Sequence, residues 1–130
     1  MIDRRNTDIT AFVHENVAEL QGDCIVGART KIWQGVSIVR NSIIGADCVI
    51  GPGALIDGSV LGNGCHVQHN AFIDPGIVIG NDVFVGPGVK LCNDPWPRVS
   101  KAGWYDIQEL VRRDFIVTEV RDGASLGAGG

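Results

Sequence analysis

The sequence predicts an all-β fold, a parallel β-helix wound from hexapeptide repeats, with about five coils and one expelled loop. Three observations predict it. First, stepping by six from Val26 lands on Ile32, Ile38, Ile44, Ile50 and Ile56; one step of five reaches Leu61, and Val67, Ile73, Ile79, Val85 and Leu91 follow. Second, the residue two places earlier is mostly small, as in Cys24, Thr30, Ser42, Cys48, Ala54, Ser59, Cys65 and Ala71. Third, glycine often follows the aliphatic position, at Gly27, Gly45, Gly51, Gly62, Gly80 and Gly86.

Each aliphatic residue closes one short strand, a turn begins just after it, and a small side chain points inward four residues on. Three such sides make a triangular coil, and stacked coils fill the interior with aliphatic ladders. An amphipathic strand of a sandwich also alternates with period two, but it would not hold a six-residue phase over this distance. Glycine after the aliphatic residue is expected to supply positive φ at the corners.

The register divides the chain. Residues 1–17 read as a lead-in, 18–92 as hexapeptide coils, extended back to Leu20, and 93–115 as the expelled loop, with a short helical stretch around Tyr105–Arg113. Residues 116–130 resume as a partial coil, with Val120 and Leu126 in the aliphatic slots and Thr118 and Ala124 in the small ones.

Composition narrows the function. A net charge of −4 argues against nucleic acid as a partner. No apolar run reaches the roughly 20 residues of a membrane span, and the N-terminus lacks the apolar core of a secretory signal, so a cytoplasmic protein is the default. The four cysteines form no C-x-x-C pair; Cys24, Cys48 and Cys65 occupy small inward slots and read as core, whereas Cys92 faces a corner.

Two segments carry candidate chemistry. In Cys65-His66-Val67-Gln68-His69-Asn70, the register sends Val67 inward and His66 outward and puts His69 on a corner. A histidine beside polar amides suits proton acceptance, and a solvated corner residue is the alternative. His66 and His69 leave the corner in different directions and His14 precedes the repeat, so no metal is expected. In Asn93-Asp94-Pro95-Trp96-Pro97-Arg98, the prolines stiffen the start of the loop. Arg98 offers a fork for phosphate or carboxylate, and Trp96 either a flat face for a sugar or base or a side chain that packs the loop.

The stretches TKIWQGVSIV, HVQHNAFID, DVFVGPGV and NDPWPR resemble the nucleotide-sugar N-acetyltransferases that acylate 3-amino sugars for bacterial surface polysaccharides, over roughly residues 10–130. The hexads are common to all hexapeptide acyltransferases; Trp33 with Gln34, the Val67–Asn70 corner and Asp82–Arg98 are the more specific parts. The resemblance implies a left-handed coil, a homotrimer, acetyl-CoA in the cleft between neighbouring β-helices, and an amino sugar near the expelled loop. It implies His69 as the base, Asn70 as a sugar-positioning group, and Asn93, Asp94 and Arg98 as contacts to the sugar nucleotide. Family members often carry Asn at the position of His69. The relatives also continue past VRDGASLGAGG with coils that help to wall the CoA site. A second expectation is therefore a truncated, catalytically incompetent trimeric β-helix that binds a sugar nucleotide or a protein partner. A third is a metal-dependent hydratase.

Overall fold

In the computed structural model, which describes residues 1–93 and 118–127, sixteen short strands stack in three parallel ladders. The first face holds β1 (Phe12–Val13), β4 (Lys31–Ile32), β7 (Val49–Ile50), β10 (His66–Val67), β13 (Phe84–Val85) and β16 (Ser125–Leu126). The second holds β2 (Glu19–Leu20), β5 (Ser37–Val39), β8 (Leu55–Asp57), β11 (Phe72–Ile73) and β14 (Lys90–Leu91). The third holds β3 (Ile25–Val26), β6 (Ile43–Ile44), β9 (Val60–Leu61), β12 (Ile77–Ile79) and β15 (Thr118–Val120). This is the all-β parallel solenoid that the hexads predict, consistent with a left-handed β-helix. Among the described residues no helix is long and apolar enough to cross a membrane.

The strands are only two or three residues long, so hydrogen bonding within one coil cannot hold them. Stability comes from the ladders, in which Ile32, Ile50, Val67 and Val85 stand in register behind one another. Every aliphatic position from Leu20 to Val85 is at most 1% exposed, and the slots two residues earlier, from Cys24 to Val89, are equally closed. Burial of this kind stabilises by about 1.5–3 kcal/mol per aliphatic side chain. Cys24, Cys48 and Cys65 lie in this core and Cys92 is exposed, as the register requires.

The buried polar members of the small slots are hydrogen-bonded except at Ser59, whose hydroxyl has no partner among the described residues. Thr30 Oγ1 donates to the Gly45 carbonyl (2.7 Å), Cys48 Sγ to Gly62 (3.1 Å) and Cys65 Sγ to Gly80 (3.0 Å). One position of the first face thus satisfies the same corner carbonyl of the next coil three times.

The lead-in expected over residues 1–17 is itself coiled. Phe12–Val13 pairs with Lys31–Ile32, and Ile2 and Thr7 bridge to Leu20 and Val26. The steps from Ile2 to Thr7, Val13 and Leu20 are five, six and seven residues, and Thr7 puts a hydroxyl where the pattern requires an aliphatic group. That irregularity hides the first coil from a six-residue count.

The expected role of the glycines also changes. Gly27, Gly45, Gly51, Gly62, Gly80 and Gly86 do not have positive φ. Positive φ falls three residues after the aliphatic position, at Arg29, Gly35, Asn41, Asp47, Gly53, Gly64, Asn70, Gly76, Asp82, Gly88 and Gly123. The glycine directly after the aliphatic residue serves close approach instead. A Cβ on Gly62 would strike the Asn81 side-chain oxygen and, at 2.7 Å, the Gly80 backbone. That oxygen accepts the Asn63 N–H (2.8 Å), just as Asn63 accepts that of Ala46 (2.9 Å) and Asp122 that of Asn81 (2.7 Å). The corner from the third face to the first is therefore an amide and carboxylate ladder laid over stacked glycines.

The helical stretch expected around Tyr105–Arg113 lies outside the described residues. The column itself closes over the interval: Ile77–Ile79 pairs with Thr118–Val120, and Phe84–Val85 with Ser125–Leu126.

Candidate functional site

His69 and Asn70 form the corner from β10 to β11, between the first and second faces. This corner is a vertical stack in which Gly35 N–H bonds to Asn16 O, Gly53 to Gln34, Asn70 to Pro52 and Gly88 to His69, at 2.9–3.0 Å. These bonds fix the backbone of the corner from coil to coil. The side chains of His69 and Asn70 are exposed, and among the described residues the His69 ring makes no hydrogen bond. Asn70 holds φ at +57°, and its amide oxygen lies against Gly53, so it serves the turn whatever else it does. Beside it, Lys90 reaches the Asn70 carbonyl (3.5 Å) and stands 3.9 Å over the Phe72 ring.

Asn93 belongs to a different corner, between the second and third faces. Its side-chain amide donates to the Pro75 carbonyl (3.0 Å), which ties Asn93 to the same corner of the preceding coil. The five residues from Asn70 to Pro75 put roughly 16 Å of strand between this corner and His69. Within one chain, His69 with Asn70 and Asn93 thus lie at opposite edges of the second face. Asp94, Trp96 and Arg98 lie outside the described residues.

The Asn93 corner brings in charged groups that counting did not single out. Arg40 grips Asp57 with two hydrogen bonds (2.7 and 2.6 Å), and Asp57 is 8% exposed. Asp74 lies at the same corner. Burial pushes its carboxyl above the usual range; the Asn93 backbone N–H opposes this, the Asp57 charge adds to it and Arg40 opposes it. The sequence signal was the Asp74-Pro75-Gly76 turn. Its meaning depended on a partner 19 residues later.

His66 projects from the first face between Val49 and Phe84, away from the His69 corner. Among the described residues no group of three or more His, Cys, Asp or Glu side chains is placed to hold a metal ion. A third polar and aromatic group gathers at the N-terminal end of the His69 corner. Trp33 lies 5.3 Å from the Phe12 ring and 6.3 Å from His14, with Gln34 and Asn16 beside them.

Comparison with known proteins places this geometry. The chain is 36% identical over 62 residues to the bifunctional protein GlmU of Alkaliphilus oremlandii, a match covering 48% of the chain and 13% of that protein. It is 40% identical over 62 residues to GlmU of a Geobacillus strain, with the same coverage, and 38% over 69 residues to that of Listeria welshimeri, covering 53% and 15%. The matched stretches span about one seventh of the length of these curated relatives. Residues 7–95, from the first coil to just past Asn93, match the GMPPB C-terminal domain. The chain belongs to the family of GMPPB C-terminal domains.

Proposed function

We propose that this chain is an acetyl-CoA-dependent N-acetyltransferase domain acting on a nucleotide-linked amino sugar, as in bacterial surface-polysaccharide synthesis. The observation that carries the reading is the His69–Asn70 corner, an exposed imidazole and amide on a backbone fixed by the ladder, in a column similar to part of GlmU. In the reaction, the sugar amine attacks the thioester carbonyl, a C–N bond forms and the C–S bond breaks. His69 takes the amine proton, and the departing thiolate is protonated to CoA. Asn70 positions the sugar, while Asp94, Trp96 and Arg98 contact the nucleotide.

Asn93 belongs to the same site only where two copies meet, because one chain holds it far from His69. This supports a homotrimer in which the Asn93 corner of one copy faces the His69 corner of the next. The third face offers an apolar stripe for such contacts, with Ile25, Ile43, Val60 and Val78 each 36–47% exposed.

Supplying acetyl-CoA with a panel of UDP- and TDP-linked amino sugars tests the proposal; CoA release is expected, and no turnover across the panel overturns it. Mixing His69→Ala with Asn93→Ala chains should recover activity that neither has alone. The separation of the two corners also favours a second reading, a scaffold that binds a sugar nucleotide or a protein partner without catalysis. Calorimetry with acetyl-CoA separates the two, since the scaffold reading requires no binding at micromolar concentration.

A further inference from the structure

Three aromatic side chains converge where β1 and β4 enter the first corner. Phe12 and His14 meet edge to face (6.3 Å, 79°), Phe12 and Trp33 are tilted at 5.3 Å, and His14 and Trp33 are tilted at 6.3 Å. Phe12 is 45% exposed, and Trp33 and His14 are half-buried. His14 Nδ1 accepts the Asn16 N–H (3.0 Å), so in the neutral ring the proton is on Nε2, left to donate outward. Gln34 and Asn16 are exposed beside the rings. Lys31, the register partner of Phe12, is the only lysine or arginine among the outward residues described on the first face. Rings flanked by amides, an imidazole N–H and one cation match a planar heteroaromatic ligand that carries phosphate.

We propose that Phe12, His14 and Trp33 form a stacking subsite for the base of a nucleotide. Trp33-Gln34 and His69 occupy the same corner stack, two coils apart, which puts about 10 Å between them along the axis. A nucleoside diphosphate sugar stacked on Trp33 can extend along this stack and present its sugar at His69. That placement of the sugar rests on the acetyltransferase reading; the stacking itself does not.

The base could come from the sugar nucleotide or from the adenine of CoA, and nucleotide probes distinguish the sources. In a Trp96→Phe/Trp104→Phe chain, Trp33 is the sole tryptophan. UDP, TDP and 3′,5′-ADP are titrated in turn, with free N-acetylglucosamine as control. Saturable quenching by at least one nucleotide, and none by the free sugar, is expected. Quenching by UDP or TDP assigns the subsite to the sugar nucleotide, and quenching by 3′,5′-ADP alone assigns it to CoA. Phe12→Leu should weaken binding about tenfold while circular dichroism stays unchanged. By calorimetry, Trp33→Phe should retain binding and Trp33→Leu should lose it. No quenching by any of the three nucleotides, or affinity indifferent to Phe12→Leu in a folded chain, overturns the proposal. Acetyl transfer assayed on the unaltered chain separates the two ideas. Turnover without a Trp33 response removes the subsite alone, and a response without turnover removes the acetyltransferase alone.

Discussion

Arg40 and Asp57 face each other across one coil spacing, joined by two hydrogen bonds at the corner where the six-residue register loses a residue. The coil before turns with positive φ at both Arg40 and Asn41, and the shortened one turns at Gly58. The guanidinium fills the mismatch and covers a carboxylate that has little access to water.

The pair predicts an asymmetry. Arg40→Met leaves the Asp57 carboxylate buried without its partner and should cost about 1–3 kcal/mol. Asp57→Asn leaves a half-exposed guanidinium that water can serve, and should cost less. Chemical denaturation of both variants tests the order; equal losses would mean that Asp57 is effectively solvated.

Asp74 predicts a pH dependence. Its carboxyl is raised above the ordinary value of 3.8, chiefly by burial. Below that value it is protonated in the folded and the unfolded chain alike. As the pH climbs through the raised folded value, ionisation favours the unfolded chain and stability falls. Asp74→Asn removes that loss, so it should raise Tm at pH 7 and change it little at pH 3. A Tm gain that is independent of pH would remove titration as the cause.

The glycine stack predicts intolerance at one further point. Gly62→Ala forces its methyl group into the Asn81 oxygen and the Gly80 backbone and should cost about 1–3 kcal/mol. Gly88→Ala meets no atom within 4 Å among the described residues, but it must hold φ near +69°, which costs roughly 1–2 kcal/mol. Pairing Gly62→Ala with Asn81→Gly should recover only part of the loss, because the side-chain clash is gone while the Gly80 backbone still stands 2.7 Å from the methyl group; Gly88→Ala has no such rescue.

Within the acetyltransferase reading, His69→Ala should lower kcat about a hundredfold with a smaller change in KM for the sugar. His69→Asn separates roles. If the amine arrives neutral and needs only a polar neighbour, the Asn variant retains most of kcat, whereas loss equal to that of His69→Ala assigns proton transfer to the ring.

The hexads made the column from Leu20 to Leu91 legible because every strand repeats one inward pair, and three cysteines were recognisable as core by their slot alone. The first coil was not legible, since Thr7 breaks the aliphatic pattern and the steps there vary. The corner glycines were visible but their reason was not, because a contact with Asn81 is made by the next coil. The site divides along the same line. His69 announces itself by its place in the hexad. Asp74, by contrast, acquires its burial and its neighbours Asn93, Asp57 and Arg40 only once the coils are stacked.

The corner ladder through Ala46, Asn63, Asn81 and Asp122 runs unbroken across an interval in which Leu91 and Val120 are 29 residues apart rather than six. Register after the interruption is therefore set by the neighbouring coil, not by the length of chain between. Excising 23 residues between Asn93 and Thr118 should leave the column folded, with Tm little changed, because loop length weighs only weakly on closure. For evolution, this makes the second-to-third corner a port. Segments of different length and chemistry can be exchanged there, altering what the protein recognises, while the scaffold that bears His69 stays the same.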